Sequence, residues 1–437
     1  MKNVVIIGGG PGGSALGCYL ARAGIPATIF EAAEHPRRHV GGSMVPATNR
    51  IFAELDFLPV MERAGFVHKF GASWHPPNRH GTVFIEFSDV PHPGIDQDHT
   101  YHVDRGVFDQ LLFEHAAGMG VEVHQKAPVR QVLMDHDRAV GVRVEIAGEV
   151  REVAADVVVD ASGRRSVLGR QLGILEKDRQ FDQFALHASF TGVRRAEGRR
   201  GHDGHIYFLP VERGWVWQVP ITAERTSVGV VVDRKVFKTM GEDHEGWFGE
   251  MVHRSPDAAQ AMRDAVRVSP FVREDDYSYH MTRFAGPGHL LIGDAARFVD
   301  PIFSSGVSVA MHSAKFAAEA IRAHFLDGVP EAEAFGRYHQ RLKDACEVWY
   351  EFICMYYRLL PLFTLFVQDG RYRMQIFELL QGNVYDRGKV AVLDEMRRFI
   401  QAVENDKDHL MGPYLGNVQV VDVAHTSAGQ GTDRLSR

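Results

Sequence analysis

A glycine-rich turn near the N-terminus carries the first residues whose spacing suggests a chemical role. Gly8, Gly10 and Gly13 form a G-x-G-x-x-G pattern between the apolar run 4–7 and a segment typical of a helix. In such a turn the first glycine permits the tight bend, the second lets a diphosphate approach the backbone, and the third lets the helix pack against the strand. Glu31 ends the next apolar strand, where a carboxylate can accept hydrogen bonds from ribose hydroxyls. The pattern predicts a dinucleotide site, which NAD or FAD could occupy.

Two further polar motifs each follow an apolar strand. Asp160 begins the motif D-A-S-G-R, and Gly293 and Asp294 form a G-D pair much later in the chain. The three motifs, in this order, resemble those of FAD-dependent monooxygenases of the p-hydroxybenzoate hydroxylase type. The resemblance implies that FAD is the cofactor, that Asp294 binds its ribityl chain, and that Asp160 holds the fold around it. It also implies that Arg105 lies near the diphosphate.

The source of reduced FAD is predicted from a missing motif. No second G-x-G-x-x-G follows a strand, since Gly286-Pro287-Gly288 precedes one. The chain is therefore predicted to lack a site for its own nicotinamide dinucleotide. We expect a separate flavin reductase to supply reduced FAD.

Two tryptophans alternate along one predicted strand. Taken alone, Trp215 and Trp217 indicate a strand that packs two indoles into a core from one face. With Pro220 they form W-x-W-x-x-P, and beside the FAD motifs this resembles the flavin-dependent halogenases. The resemblance implies that both indoles form a wall between the flavin and the substrate.

A lysine in a K-x-G-A segment is the predicted catalytic residue. Lys69 stands in K-F-G-A, and the halogenase resemblance implies that its amine carries the oxidised halogen, either by hydrogen bonding hypohalous acid or as an N-haloamine. Apolar neighbours would disfavour the ammonium form, which favours nucleophilic behaviour. The alternative is an ordinary exposed lysine.

The segment 300–307 precedes a predicted helix and is expected to face the flavin. By resemblance Pro301 lies at the cofactor, and Ser305 and Gly306 bind halide, for which a helix N-terminus is a suitable site. A plain helix cap is the alternative. Phe303 stands where halogenases of free tryptophan have a glutamate. The chain therefore departs from that branch, and Phe303 is placed in the substrate pocket.

Over almost its full length the chain resembles the pyrrolyl halogenases of natural-product and antibiotic biosynthesis, such as that of the pyoluteorin pathway. The resemblance implies that a flavin C4a-hydroperoxide oxidises chloride, or bromide, to hypohalous acid, which reaches Lys69 and halogenates a pyrrolyl group on a peptidyl carrier protein. A carrier-bound phenolic or tyrosyl substrate and an FAD-dependent aromatic monooxygenase stay open as alternatives. A non-catalytic FAD-fold protein is a further alternative, disfavoured by the intact motifs. An arginine cluster is a candidate docking surface for an acidic carrier: Arg194, Arg195, Arg199 and Arg200.

Composition narrows the class of protein. The 437 residues carry a net charge of −7, which argues against nucleic-acid binding. Three scattered cysteines do not suggest a disulfide framework or a metal site. No export signal and no run long enough to span a membrane is evident, so a cytoplasmic location is expected. A homodimer stays open.

The element pattern predicts an α/β fold. A Rossmann-like FAD-binding domain of the p-hydroxybenzoate hydroxylase type is expected together with an antiparallel-sheet substrate domain and a C-terminal helical region. The predicted parts are FAD-binding segments at 1–65, 101–177 and 276–328, a substrate-sheet segment with Lys69 at 66–100, an antiparallel substrate-side sheet at 178–275, a helical lid at 329–423 and a flexible tail at 424–437.

Overall fold

A computed structural model describes residues 2–75, 82–90, 97–178, 180–211, 214–275, 278–360, 362–385 and 390–416. The strands are β1 (Val4–Ile7), β2 (Ala27–Phe30), β3 (Val67–Lys69), β4 (Gly71–His75), β5 (Val83–Glu86), β6 (Thr100–His102), β7 (Glu122–His124), β8 (Val129–Asp135), β9 (Arg138–Ile146), β10 (Glu149–Ala154), β11 (Val157–Asp160), β12 (Leu175–Lys177), β13 (Gln183–Thr191), β14 (Gly204–Phe208), β15 (Trp215–Pro220), β16 (Thr226–Asp233), β17 (Val266–Arg267), β18 (Val272–Glu274), β19 (Tyr279–Met281), β20 (Ala285–Gly286), β21 (His289–Leu291) and β22 (Arg297–Phe298). The helices are α1 (Pro11–Arg22), α2 (Ala47–Glu54), α3 (Leu58–Ala64), α4 (Arg105–Gly118), α5 (Val167–Gln171), α6 (Arg234–Phe237), α7 (His244–His253), α8 (Pro256–Ala261), α9 (Gly306–Phe325), α10 (Glu331–Arg358), α11 (Phe363–Gln368), α12 (Arg373–Leu380) and α13 (Ala391–Asn405).

A largely parallel sheet brings the predicted cofactor motifs together. Its order is β20-β21-β11-β1-β2-β7, with β20 antiparallel at the edge. The strand β1 is apolar throughout because it is buried on both faces. Ile7 pairs with Phe30 on one side and with Asp160 on the other, and Asp160 pairs with Leu291. The residues that follow these strands therefore meet at one edge, where open α/β sheets bind ligands.

A second sheet, mostly antiparallel, stands over that edge. Its main order is β17-β13-β16-β15-β14-β4-β5. Because side chains alternate between the faces of a strand, Trp215 and Trp217 point to the inner face while Val216 points to the outer one. The outer face packs on apolar residues of α6, α7 and α8, including Phe237, Trp247 and Phe248.

The C-terminal helices cover one side of the second sheet's inner face. The long helix α10 buries a run of aromatic residues, and Phe352 stacks on Phe303 with ring centroids 4.6 Å apart. Tyr356 meets the same ring edge-on at 5.0 Å. This packing ties the helical tail to the segment that precedes α9.

The expected fold class is confirmed in its parallel sheet, its antiparallel sheet and its helical tail. The domain boundaries stay predictions, and the tail 424–437 lies outside the described residues. None of the helices in the described ranges combines the length and the apolar composition needed to cross a membrane.

Gly13 and Gly336 offer a matched test of the turn. A Cβ on Gly13 would lie 1.9 Å from the carbonyl oxygen of Gly8, whereas one on Gly336, in α10, would meet nothing within 4 Å. We expect Gly13→Ala to lower the free energy of unfolding by about 2–3 kcal/mol and to weaken FAD binding. Gly336→Ala should raise the free energy of unfolding by about 1 kcal/mol through helix propensity. Thermal melts and FAD titration measure both, and equal melting temperatures would contradict the packing role of Gly13.

Candidate active site

One cavity of about 1050 Å³ lies between the edge of the parallel sheet and the inner face of the second sheet. It brings together most of the residues that the sequence predicted. The predicted residues that line it are Gly8, Gly10, Glu31, Lys69, Arg105, Trp215, Trp217, Gly293, Asp294, Pro301, Phe303, Ser305 and Gly306. Gly13, Asp160 and Pro220 are not among the described lining residues.

The glycine turn opens the cavity at the sheet edge. Gly8 has φ +105°, and a Cβ there would lie 2.6 Å from the carbonyl oxygen of Ala161. Gly10 is the N-cap of α1, so the free N–H groups of that helix face the cavity and favour an anion. Glu31 accepts hydrogen bonds from the N–H groups of Gly9 at 2.7 Å and Ala33 at 2.9 Å. The turn and the carboxylate therefore hold each other in place.

Asp160 supports the site from behind. It is fully buried, and its two carboxylate oxygens accept hydrogen bonds from Ser162 N–H at 3.0 Å and from Leu168 N–H at 2.7 Å. These bonds fix the loop after β11, which includes the cavity residues Ser162 and Gly163. The predicted role in holding the fold agrees with these contacts.

Arg105 is oriented by a buried carboxylate. It is the first residue of α4, and its guanidinium donates to both oxygens of Asp109, at 2.8 and 3.0 Å. Its Nη1 also donates to the carbonyl of Val40 at 2.9 Å. Burial raises the pKa of Asp294 to about 6, and the charge of Arg105 opposes that rise. Both groups line the same cavity.

The indole rings of Trp215 and Trp217 lie next to each other on one face of β15, in a tilted arrangement. Their ring centroids lie 6.0 Å apart at an interplanar angle of 51°. Trp217 donates its Nε1–H to Ser227 Oγ at 3.1 Å and lies over Gly229, where a Cβ would come within 2.2 Å of the ring. Trp215 is 2% exposed and donates its Nε1–H to Tyr357 Oη at 3.1 Å. Both rings are locked in place, which a wall requires.

Pro220 is placed differently from the prediction for it. It ends β15, is buried and pairs with Thr226. Strand alternation gives Val219 the face of the two indoles, and Val219 is the residue that lines the cavity. The expectation that Pro220 belongs to the wall itself stays without support in the geometry.

The Lys69 amine is buried, contrary to the exposed alternative. The side chain is 4% exposed, and its Nζ donates to Ser43 Oγ at 3.0 Å and to the carbonyl of Met44 at 2.8 Å. It also lies 5.6 Å from the ring centroid of Phe87. Burial lowers the pKa of Lys69 to about 8, and the charge of Asp203 opposes this. A neutral amine with both hydrogens donated in this way keeps its lone pair free.

The segment before α9 is shaped as a helix entry. Asp300 caps a short 3-10 turn, Pro301–Phe303, and Ser304 then adopts a left-handed conformation with φ +56°. Ser305 is the N-cap of the 20-residue helix α9, and its side chain makes no capping hydrogen bond. The backbone N–H groups at Gly306 therefore begin a long helix that points its positive end at the cavity.

Several site residues had no signal in a single sequence. Ser43 and Met44, about 25 residues before Lys69, accept hydrogen bonds from its amine. Asp203, directly before β14, raises the pKa of that amine. Arg37 contacts Asp109 at 3.5 Å and lines the cavity. Each of these depends on a long-range contact rather than on a local motif.

Three side chains outside the cavity form a cluster of the kind that can bind a metal ion, although the sequence predicts no metal site. The groups of Glu62, His68 and His99 bring one possible ligand atom each within 4.8 Å of one another. The two imidazoles are stacked, with centroids 3.9 Å apart at 17°, and the Nε2 atoms of His68 and His99 lie 3.1 and 3.8 Å from the carboxylate of Glu62. The absence of a metal stays a prediction.

Comparison with known proteins identifies the family. A family model described as tryptophan halogenase matches residues 88–384, and one described as FAD dependent oxidoreductase matches residues 3–170. The chain belongs to the tryptophan halogenase family. It is a flavin-dependent halogenase, and the resemblance drawn from the motifs is confirmed.

Individual relatives match this halogenase over nearly its whole length. A 1H-pyrrole-2-carbonyl-(peptidyl-carrier protein) chlorinase from Pseudomonas fluorescens is 43% identical over 436 residues, with 96% of this chain and 97% of the relative covered. The corresponding brominase from Pseudoalteromonas luteoviolacea is 30% identical, with 88% and 92% covered. The solved structure of the flavin-dependent brominase Bmp2 is 29% identical with a TM-score of 0.84, covering 92% of this chain and all of that one.

The residues of the halogenase fit FAD. Side chains are absent at Gly8 and Gly10, where the backbone faces the cavity, and the Glu31 carboxylate and the Asp294 side chain line the same space. Gly293, with φ +56°, donates its N–H to Ser313 Oγ at 2.9 Å and so holds Asp294 at the start of its turn. These residues would hold the diphosphate, the ribose and the ribityl chain.

The charge of Asp203 should set the pH dependence of the halogenase through Lys69. The carboxylate raises the pKa of Lys69, and His102 beside it stays neutral because burial lowers its pKa well below 6.5. In Asp203→Asn the amine should lose its proton at lower pH. The acid limb of halogenation rate against pH is then expected to shift down by about 1 pH unit.

The matched control for this shift is Asp98→Asn, since Asp98 is half-exposed and pairs with Arg199 instead. Its profile should follow that of the wild type. An unchanged acid limb in Asp203→Asn, or a shift to higher pH, would contradict the electrostatic assignment.

Proposed function

We propose that this halogenase chlorinates a pyrrolyl group that is bound as a thioester to a peptidyl carrier protein. The proposal rests on one observation: the buried Lys69 amine lines the same cavity as the two indoles and the glycine-rich turn 8–13. Identity of 43% to the pyrrolyl-carrier chlorinase supports the substrate class. Identity to the brominase supports bromide as a second halide.

The cofactor end supplies the oxidised halogen. Bound FADH2 would supply two electrons and two protons, which with O2, chloride and one further proton give hypochlorous acid and water. The chloride is held at the start of α9, where the N–H groups near Ser305 and Gly306 and the helix dipole favour an anion. Trp215 and Trp217 keep the organic ring away from this end.

The Lys69 amine then controls the halogen. Its hydrogens are donated to Ser43 and Met44, so its lone pair can attack hypochlorous acid, forming an N–Cl bond and releasing water. Transfer of chlorine to the aromatic ring breaks the N–Cl bond and forms the C–Cl bond, and the proton that the ring loses returns to the nitrogen, directly or through solvent, to restore the amine. Attack by the pyrrole on hypochlorous acid hydrogen-bonded to Lys69 uses the same geometry.

The walls on the Lys69 side suit an uncharged aromatic ring. The second sheet and the neighbouring segments contribute mainly apolar side chains there, and Phe303 is fixed by its stack on Phe352. The cavity residues of this kind are Ala72, Trp74, Ile85, Phe87, Ile206 and Leu380. Such walls exclude water, which would otherwise consume the hypohalous acid.

The partners follow from the same chemistry. A separate flavin reductase supplies reduced FAD, and the carrier protein delivers the substrate. We place the enzyme in the cytoplasm, in keeping with its three free, buried cysteines. Three of the four arginines considered for docking are used within the chain, since Arg195 binds Thr222, Arg199 pairs with Asp98 and Arg200 pairs with Glu86.

Replacing Lys69 tests the proposal. With a flavin reductase, NADH, chloride and pyrrolyl-carrier thioester, we expect Lys69→Ala to lose chlorinated product by about 100-fold or more, as for removal of a positioned catalytic side chain. FAD binding should be retained. Lys126→Ala, at a lysine that is 68% exposed, is the control and should keep full activity.

Mass spectrometry of the carrier-bound product separates the outcomes. A chlorinated pyrrole supports the proposal. Oxygen insertion that is independent of halide, or halogenation of a phenolic thioester in preference to the pyrrolyl one, would overturn it.

A further inference from the structure

A tyrosine of the helical tail joins the indole wall to the segment before α9. Tyr357 lies one residue before the end of α10 and is buried. Its Oη accepts the Nε1–H of Trp215 at 3.1 Å and lies 3.2 Å from both carboxylate oxygens of Asp300. Gln183 donates its Nε2–H to the same hydroxyl at 3.5 Å.

The hydroxyl of Tyr357 connects two groups that do not contact each other directly. It accepts from the indole N–H of Trp215, which can only donate, and donates to the carboxylate of Asp300, which can only accept. Trp215 and Asp300 are each 2% exposed, and water does not replace a lost partner easily at such sites. The hydroxyl of Tyr357 therefore satisfies two buried groups at once.

Asp300 transmits this contact to the next turn. Its Oδ1 also accepts the N–H of Ile302 at 2.8 Å, which fixes the 3-10 turn Pro301–Phe303. Ser304 and Ser305 follow directly and lead into α9. A change in the carboxylate of Asp300 would therefore move the backbone that begins this helix.

We propose that Tyr357 is a positioning residue that holds the indole wall and the halide segment in one arrangement. The proposal rests on the proposed function, since it takes the N–H groups near Ser305 and Gly306 as the halide site. Without the hydroxyl, the entry to α9 shifts and the indole N–H of Trp215 loses its only hydrogen-bond partner among the described residues. Halide then binds less tightly, and more oxidant escapes as hydrogen peroxide instead of halogenating the ring.

The test compares Tyr357→Phe with Tyr356→Phe. Both keep the aromatic ring and remove one buried hydroxyl, but that of Tyr356 has no hydrogen-bond partner among the described residues. Chloride binding is measured on the oxidised holoenzyme by 35Cl NMR line broadening, and product formed per NADH is measured in turnover. We expect Tyr357→Phe to raise the chloride Kd roughly 10-fold, as loss of a buried hydrogen bond implies, and to lower the yield per NADH severalfold. Tyr356→Phe should match the wild type in both.

A second variant separates positioning from general destabilisation. Asp300→Asn keeps an oxygen that can accept from Ile302 and Tyr357 but weakens both hydrogen bonds. It should also raise the chloride Kd, whereas a variant that is only less stable would have a lower melting temperature and an unchanged chloride Kd. Equal chloride Kd values in Tyr357→Phe, Tyr356→Phe and the wild type would overturn the proposal, as would equal losses in both tyrosine variants or a wild type that binds no chloride.

The same assays keep this inference apart from the proposed function. A wild type that binds chloride but makes no halogenated pyrrole would contradict the proposed function. The chloride Kd values of Tyr357→Phe, Tyr356→Phe and the wild type would still test the role of Tyr357. A wild type that halogenates while Tyr357→Phe behaves identically would contradict only the role of Tyr357.

Discussion

Burial of one primary amine is the constraint on which the site depends. Lys69 can receive a halogen only if it is partly neutral and shielded from water, and its 4% exposure lowers its pKa to about 8. A buried amine is costly unless its hydrogens are satisfied, and Ser43 and Met44 satisfy them. The carboxylate of Asp203 limits the shift, so the amine and the ammonium are both accessible near neutral pH.

Two sheets keep the Lys69 amine apart from the glycine-rich turn 8–13. The parallel sheet presents Gly8 and Asp294 at its edge, and the second sheet stands over that edge with Trp215 and Trp217 on its inner face. Each indole is held by a hydrogen bond from its N–H group. Gly229 has no side chain, and this leaves room for the ring of Trp217. The site is thus an arrangement between layers, and the helical tail completes it by packing on Phe303.

The local parts of this site were predictable and the long-range parts were not. Gly8 and Gly10 lie between β1 and α1, and Glu31 directly follows β2, so their spacing alone indicates a dinucleotide turn. The contacts of Tyr357 with Trp215 and Asp300 join residues far apart in the chain, and no local pattern encodes them. Pro220 is instructive because strand alternation, visible in the sequence, already assigns it to the face opposite Trp217.

The proposed mechanism requires that the two indoles lie between the cofactor end of the cavity and the Lys69 amine. A crystal structure of the enzyme with FAD and bromide, located by its anomalous scattering, tests this most directly. We expect bromide beside the N–H groups of Ser305 and Gly306, next to the isoalloxazine, with Trp215 and Trp217 between it and Lys69 Nζ. Bromide and the flavin ring on the Lys69 side, with no indole between them, would contradict it.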